Sequence, residues 1–316
     1  MKLSPTQVSE FSDQGFLIVR GLLAPAALQP LILELTREVD QYIEEAVARG
    51  LLARSDTFPS EPFERRLALV ARACADPKFF VRRLYGKQHK TAGMFALRTW
   101  PALLDVVESL IGPEIFAHPM TMLRPKLPDV AAVNLPWHQD IAYLLEDAAG
   151  EATLVNCWIP LVDARADNGC LQVVAGSHRA RRLPHDERVD QWIGISDEQF
   201  PAGQVVTCEL APGDVLLIGE QLVHRSLPHR SDAVRWSLDT RYCRVGAPTG
   251  RDHKPGFIAR SRRAPERVAR SHHDWIRAFE EAGLDWTERT WKGLSAELHA
   301  RAVRVLPDDW ELTEES

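Results

Sequence analysis

The hydrophobic pattern changes texture near residue 114. Before that point apolar positions recur at helical spacing; after it, short apolar runs stand between turn residues. Ser4-Pro5-Thr6-Gln7 predicts a helix start, with a Ser cap, Pro at the first helical position and Gln placed to complete a capping box. Gly15 ends that helix, and Phe16-Leu17-Ile18-Val19 reads as a buried strand. From Pro25, the positions Leu28, Leu31, Leu33, Leu35, Val39, Ile43 and Val47 predict a long amphipathic helix. Residues 51–66 read as a loop and 67–85 as another helix. Leu103, Leu104, Val107, Leu110 and Ile111 mark a further helix from Trp100, stopped by Gly112-Pro113.

Beyond 114 the runs are strand-length. They are Ile115-Phe116-Ala117, Met120 to Leu123, Thr153 to Trp158, Leu171 to Val174, Val205 to Leu210, Val215 to Ile218 and Arg235 to Tyr242. Pro212-Gly213-Asp214 is a turn leading into the Val215 strand. Strands at this spacing, without long helices between them, indicate a sandwich or barrel and not a parallel α/β sheet. After about residue 250 the chain turns helical and Arg-rich again, with Trp275, Ile276 and Phe279 and later Leu294, Leu298 and Val303 as apolar positions. The expectation is one domain over 1–316: helical support over 1–113, a β core over 114–245, and a helical region over 246–316 that serves as a lid or dimer contact.

Composition removes some function classes. A chain of 316 residues buries roughly 75% of its unfolded surface and needs no staples. The net charge of −6 argues against a general nucleic-acid binder, which carries a basic footprint. Five widely spaced cysteines, Cys74, Cys157, Cys170, Cys208 and Cys243, form no C-x-x-C pair and read as small core residues in a reducing compartment. With no apolar stretch long enough for a membrane span and no signal-peptide or retention pattern, a cytoplasmic monomer or homodimer acting on a small molecule is expected.

The candidate chemistry lies in Trp137-His138-Gln139-Asp140 and, 86 positions after His138, in His224-Arg225-Ser226 followed by Arg235. Side chains two apart on a strand share a face, so His138 and Asp140 point together. A second histidine from a distant strand completes a two-His-one-carboxylate facial triad, which leaves about three of six positions open on Fe(II). On the last strand Arg235, Ser237, Asp239 and Arg241 share one face, and Trp236, Leu238, Thr240 and Tyr242 the other. A guanidinium on an inward face needs a partner, and a bound carboxylate would pair with Arg235 bidentately; an internal pair with Asp239 or Glu220 is the structural alternative. His178, His185, His229, His253 and the His272-His273 pair take the structural reading. Zinc remains a rival metal, because two histidines and a carboxylate also suit it.

In order, the segments LSPTQVSEFSDQGFLIVRGLL, MTMLRPKLPD, PWHQD, NCWIPLVDARADNGCLQVVAGSH, LAPGDVLLIGEQLVHRSLPHRS and RWSLDTRY resemble the phytanoyl-CoA dioxygenase-like branch of the Fe(II)- and 2-oxoglutarate-dependent oxygenases, from Leu3 to about Tyr242. The resemblance implies a mainly β fold with flanking helices around a double-stranded β-helix (jelly roll, cupin-like) core. It implies iron on His138, Asp140 and His224, and 2-oxoglutarate held by Arg235 and Ser226. Met122 and Trp158 match further cosubstrate-wall positions, and an upstream basic contact falls on Lys87, with Lys90 as the alternative. It also implies O₂ as oxidant, ascorbate as reductant, and hydroxylation or an allied oxidation of an unactivated C–H with release of succinate and CO₂. Halogenation is not implied, since related halogenases carry a small residue where this chain has Asp140. The substrate class left open is a lipid, an amino-acid-like molecule or a secondary metabolite.

Two other classes stay in view. A non-catalytic jelly-roll module would bind a metabolite through Arg235 without turnover, and a cupin-type enzyme would use zinc or manganese. For substrate contacts the candidates are Gln139, Asn156 and Arg241, each with a structural alternative. The basic cluster Arg260, Arg262, Arg263, Arg267 and Arg270 reads as a solvated face or as a contact for an anionic group.

Overall fold

In the computed structural model of the chain, residues 1–76, 78–85, 87–128, 130, 134–144, 154–189, 192–251 and 254–287 are described. Helix α1 (Pro5–Gln14) has the expected capping box, Ser4 Oγ accepting from the Gln7 amide and Gln7 Oε1 from the Ser4 amide. Gly15 closes it in the left-handed region at φ 79°, where an L side chain would be strained. Strand β1 (Phe16–Val19) follows, then the long helix α2 (Pro25–Ala48). Leu28, Leu31, Leu35, Val39 and Ile43 form the buried stripe of α2, whereas Leu33, which breaks the three-four spacing, is 46% exposed.

The helix expected over 67–85 is two: α3 (Phe63–Ala73), which begins inside the expected loop, and α4 (Phe79–Leu84). Cys74 turns extended at the break, and Asp76 precedes a proline, which disfavours helix there. Asp76 then restarts the chain by accepting from the Lys78 amide. A short helix not expected from the pattern, α5 (Ala92–Arg98), packs on α2. Gly93 permits this approach, because a Cβ there would sit 2.7 Å from the Leu31 backbone nitrogen. Helix α6 (Pro101–Ile111) matches expectation within one residue.

The core is a double-stranded β-helix of two antiparallel sheets. The strands are β2 (Ile115–Lys126), β3 (Val155–Pro160), β4 (Leu171–Val174), β5 (Asp186–Val189), β6 (Trp192–Gly194), β7 (Val205–Cys208), β8 (Val215–Gly219), β9 (His224–Ser226), β10 (Arg235–Arg244) and β11 (Phe257–Arg260). The large sheet has the order β1-β8-β3-β10-β2-β11 and the small one β7-β4-β9; β5 and β6 form a separate hairpin. Two runs read as separate strands, 115–117 and 120–123, are one strand with a bulge opposite Thr240 and Tyr242.

The large sheet has an apolar and a polar face, as the alternation on β10 requires. Trp236, Leu238 and Tyr242 enter the core shared with the helices, where Trp236 stacks on Phe63 at a centroid distance of 4.9 Å. Such a pair adds about 0.5–1.5 kcal/mol beyond its area. The opposite face, turned toward the small sheet, carries Arg235 and Asp239 into a pocket. All five cysteines are buried and free, which agrees with their reading as core residues.

The C-terminal region is not purely helical. β11 extends the large sheet beside β2, and helix α7 (His272–Glu281) buries Trp275 and Phe279 against it. Residues 145–153 are outside the described residues, as are Leu294, Leu298 and Val303. Among the described residues no helix is long and apolar enough to cross a membrane.

Candidate metal centre and cosubstrate pocket

The two histidine segments meet as neighbouring strands. His138 and His224 form a single antiparallel bridge, with each backbone N–H donated to the other's carbonyl at 2.9 Å. His138 therefore stands in one bridge, not in a full strand, and Asp140 opens a 3-10 turn (Asp140–Tyr143). The turn still carries the carboxylate to the same place. One ligand atom from each of His138, Asp140 and His224 lies within 4.8 Å of the others, and all three residues are buried.

The donor set fits a divalent metal. His138 Nδ1 is 2.8 Å from the Pro136 carbonyl, and His224 Nδ1 is 2.9 Å from that of Leu222. A carbonyl only accepts, so both Nδ1 atoms carry the proton and both Nε2 atoms keep their lone pair. Burial, and then the neighbouring His224, hold His138 well below the usual histidine range, so it is neutral and ready to ligate. Burial works to raise the Asp140 carboxyl, but the Arg241 guanidinium and the two imidazoles override it and keep it ionised.

Asp140 is gripped on both oxygens. Arg241 donates Nη2 to Oδ1 at 2.8 Å and Nε to Oδ2 at 3.2 Å, and Asn156 donates Nδ2 to Oδ2 at 2.8 Å. Asn156 and Arg241, read as structural hydrogen-bonded residues or else substrate contacts, thus orient a candidate ligand. Gln139, the third such candidate, is fully buried and ties Arg181, Leu183 and Gln221 together through their backbones.

Arg235, Ser226 and Trp158 line the same pocket, with Arg124, Asp239 and the three candidate ligands. Arg235 is 2% exposed; among the described residues its Nε has no acceptor, and its Nη1 donates to Ser237 Oγ. Of the two internal partners considered for Arg235, Asp239 is taken: it pairs with Arg124 at 2.8 Å. Burial lowers the Arg235 pKa to about 10, so it remains charged at neutral pH. Trp158 lies 5.2 Å from the guanidinium, within cation–π range.

Ser226 Oγ accepts from Lys126 Nζ at 2.9 Å and from the Leu135 amide at 3.0 Å. With two donors on its oxygen, its own proton points elsewhere. Lys126 is fully buried, and burial, followed by Arg235 and Arg124, lowers its pKa to about 6. Gly169 makes room for it, at φ 85° with an added Cβ 2.7 Å from Lys126 Cε and from the Leu227 carbonyl oxygen. The close approach of the Asn168-Gly169 turn serves this lysine.

The upstream basic contact, expected at Lys87 or else Lys90, and Met122 all stand outside the pocket lining. Lys87 is 40% exposed and pairs with Glu38 and Tyr42, away from the pocket lining. Glu38 draws it because that carboxylate is mostly buried and otherwise faces only His89 and Tyr42. Lys90 donates to the Trp286 carbonyl at 2.9 Å and lies 3.9 Å from the Phe279 ring centroid. The basic residues beside the pocket are Arg124 and Lys126, two apart in the segment MTMLRPKLPD; that spacing on a strand was their visible signal. Met122 is not in the lining and its Sδ accepts from Arg124 at 3.4 Å. The Arg260 cluster pairs with acids of α6: Arg260 with Asp105 and Glu108, and Arg262 with Glu108.

A profile of the phytanoyl-CoA dioxygenase (PhyH) family matches residues 11–237. The chain belongs to that family. Among its relatives, 1-deoxypentalenic acid 11-beta-hydroxylase of Streptomyces arenae is 26% identical over 250 residues, covering 73% of this chain and 78% of the other. Peroxisomal phytanoyl-CoA dioxygenase of Bos taurus is 25% identical over 252 residues, covering 76% and 68%. In fold, the apo structure of the non-heme monooxygenase ThoJ matches with a TM-score of 0.58 at 21% identity, covering 95% of this chain and 97% of that one. The epimerase SnoN, solved with Fe³⁺, alpha-ketoglutarate and nogalamycin RO, matches at 0.50 and 18% identity, covering 78% and 86%. This PhyH chain is an enzyme of the non-haem Fe(II)- and 2-oxoglutarate-dependent oxygenase class.

Proposed function

We propose that the protein binds Fe(II) through His138, Asp140 and His224, holds 2-oxoglutarate beside it, and oxidises an unactivated C–H of a small organic molecule, hydroxylation being the simplest outcome. The observation that carries this reading is Arg235: a buried guanidinium without a carboxylate partner, lining the same pocket as the three candidate ligands. Leaving such a charge unpaired is very costly, and the distal carboxylate of a dicarboxylate removes that cost.

With O₂, iron and 2-oxoglutarate supply the oxidising chemistry, releasing succinate and CO₂; ascorbate serves as an auxiliary reductant. The protein's own part is binding and orientation. His138 and His224 present Nε2 because their Nδ1 protons are held by carbonyls. Asp140 is kept ionised and fixed in direction by Arg241 and Asn156. Arg235 and Ser226 grip the distal carboxylate, with Lys126 behind Ser226. Trp158 covers the Arg235 guanidinium and, with Leu135 and Leu171, keeps the pocket wall apolar and dry. The relatives' names support the class of substrate as a small organic molecule and leave its identity open.

The test is an anaerobic titration of 2-oxoglutarate into Fe(II)-loaded protein, following the visible metal-to-ligand charge-transfer band. The expected result is a band in the wild type whose half-saturation rises at least about tenfold in Arg235→Ala, a loss of about 1.4 kcal/mol or more. Iron binding without any band would remove cosubstrate chelation and favour the binding-module or other-metal class.

A further inference from the structure

The inward face of β10 carries a second arginine whose bonds leave something over. Arg241 is 3% exposed and donates Nε and Nη2 to Asp140, but its Nη1 is buried without an acceptor. Beyond β10 the chain returns to the same neighbourhood with Arg251. The Arg251 amide donates to Thr249 Oγ1 at 3.0 Å, and the Thr249 carbonyl is 2.8 Å from His118 Nε2, on the bulged part of β2. Arg251 Nε is likewise buried without an acceptor, and among the described residues its guanidinium forms no ion pair.

Among the described residues no nearby group balances this charge. His118 takes the Met120 amide on Nδ1 and is neutral, burial lowering its pKa to about 3. Asp140 is committed to Arg241 and Asn156. Glu220 accepts from the Leu154 backbone, and burial, with Asp140 adding to it, raises its carboxyl to about 7. A third arginine, Arg98, also has an orphaned Nη1, but it lies on the helix-facing side, bonded to Thr240 and the His118 carbonyl with its charge over the Phe257 and Trp275 rings. Arg251 is only partly buried, and its buried Nε has neither an acceptor nor a ring to face among the described residues. Burial, and then the neighbouring Arg241, lower the Arg251 pKa to about 10, which leaves it charged at neutral pH.

We propose that Arg241 Nη1 and Arg251 Nε form an anion subsite on the substrate side of the metal centre, so that the substrate is a carboxylate-bearing molecule. This rests on the oxygenase reading above. The subsite is distinct from the Arg235 clamp. Arg241 lies six positions beyond Arg235 on β10, and at about 3.3 Å per residue their Cα atoms stand roughly 20 Å apart. One carboxylate accepting from both Arg241 and Arg251 would remove two unsatisfied buried donors at once and anchor the substrate beside Asp140.

The test uses Fe(II)-protein saturated with 2-oxoglutarate under anaerobic conditions, with octanoate and octanamide as matched probes in equilibrium dialysis. Octanoate is expected to bind at least about tenfold more tightly than octanamide, a difference typical of one charge-assisted contact. Arg251→Gln should bring the ratio below about twofold, and Arg251→Lys should restore part of it. Equal binding of the probes, no binding of either, or a preference that survives Arg251→Gln would overturn the subsite. The charge-transfer band is read in the same samples. Its absence would sink the oxygenase reading, whereas a band without carboxylate preference sinks the subsite alone.

Discussion

Asp140 and Arg241 meet in a two-point ion pair, Nη2 to Oδ1 at 2.8 Å and Nε to Oδ2 at 3.2 Å, with both side chains 3% exposed. Removing one partner of a buried pair leaves the other charge uncompensated, at a typical cost of about 3–5 kcal/mol. Arg241→Met is therefore expected to destabilise the metal-free protein by that order. Metal should recover much of the loss, because a bound cation compensates Asp140 in place of the guanidinium. Urea unfolding with and without Fe(II) or Zn(II) checks both halves.

Asn156 acts on the same carboxylate without a charge. Asn156→Ala leaves Asp140 paired with Arg241 but one donor short. Loss of such an outer hydrogen bond typically costs about 10–100-fold in metal affinity. Competition with a chromophoric chelator measures it. An unchanged affinity would make Asn156 a plain core residue.

Lys126 sets a pH dependence. Ser226, Arg235, Arg124 and Cys170 face it; the two arginines stay charged at neutral pH, and burial pushes the Cys170 thiol up to about 12. With its pKa lowered to about 6, free Lys126 is mostly neutral at pH 7–8. An incoming dicarboxylate favours the ammonium form, so binding takes up a proton. Affinity for 2-oxoglutarate then falls as pH rises above about 6, by up to about tenfold per unit. Charge-transfer titrations at pH 6.5 and 8.5 should show the slope, and Lys126→Met should flatten it.

The sequence carried the site further than it carried the architecture around it. His138, Asp140 and His224 were legible because a period-two pair and a distant histidine make a recognisable donor set, and β10 alternated between a polar and an apolar face although both are buried. The alternation of β10 pointed to Arg235 as a carboxylate contact, and ordering the segments against a family added Ser226 and the 2-oxoglutarate role. What stayed hidden depends on which of several possible partners a charge meets. Asp239 suited Arg235 as well as Arg124, and only the register of β10 against β2 awards it to Arg124. Lys87 looked available until α2 brought Glu38 beside it. Helix α5 is short, and its place depends on Gly93 touching α2, a tertiary fact with no periodic signal.

Asp140→Gly separates the metal's chemistry from the fold. The substitution removes the only charged candidate ligand and frees Arg241 and Asn156. Succinate formation should fall to background, while 2-oxoglutarate binding through Arg235 persists in weakened form. Succinate release under saturating iron and 2-oxoglutarate is the measurement, and full turnover in the variant would refute the ligand assignment.

Gly169 links the turn after β3 to the chemistry of the pocket. At φ 85° an alanine is strained by about 1 kcal/mol or more, and its Cβ would meet both the Leu227 carbonyl oxygen and Lys126 Cε at 2.7 Å. The carbonyl belongs to backbone just after β9 and cannot swing away, so the lysine chain or the turn itself must yield. Gly169→Ala is expected to cost about 1–3 kcal/mol of stability and to weaken 2-oxoglutarate binding by displacing Lys126 from Ser226. The double variant Gly169→Ala, Lys126→Met decides how the two effects are joined. If crowding of Lys126 causes the weakened binding, adding Gly169→Ala to Lys126→Met should cost stability but little further affinity; additive losses in affinity would place the effect in the turn backbone instead.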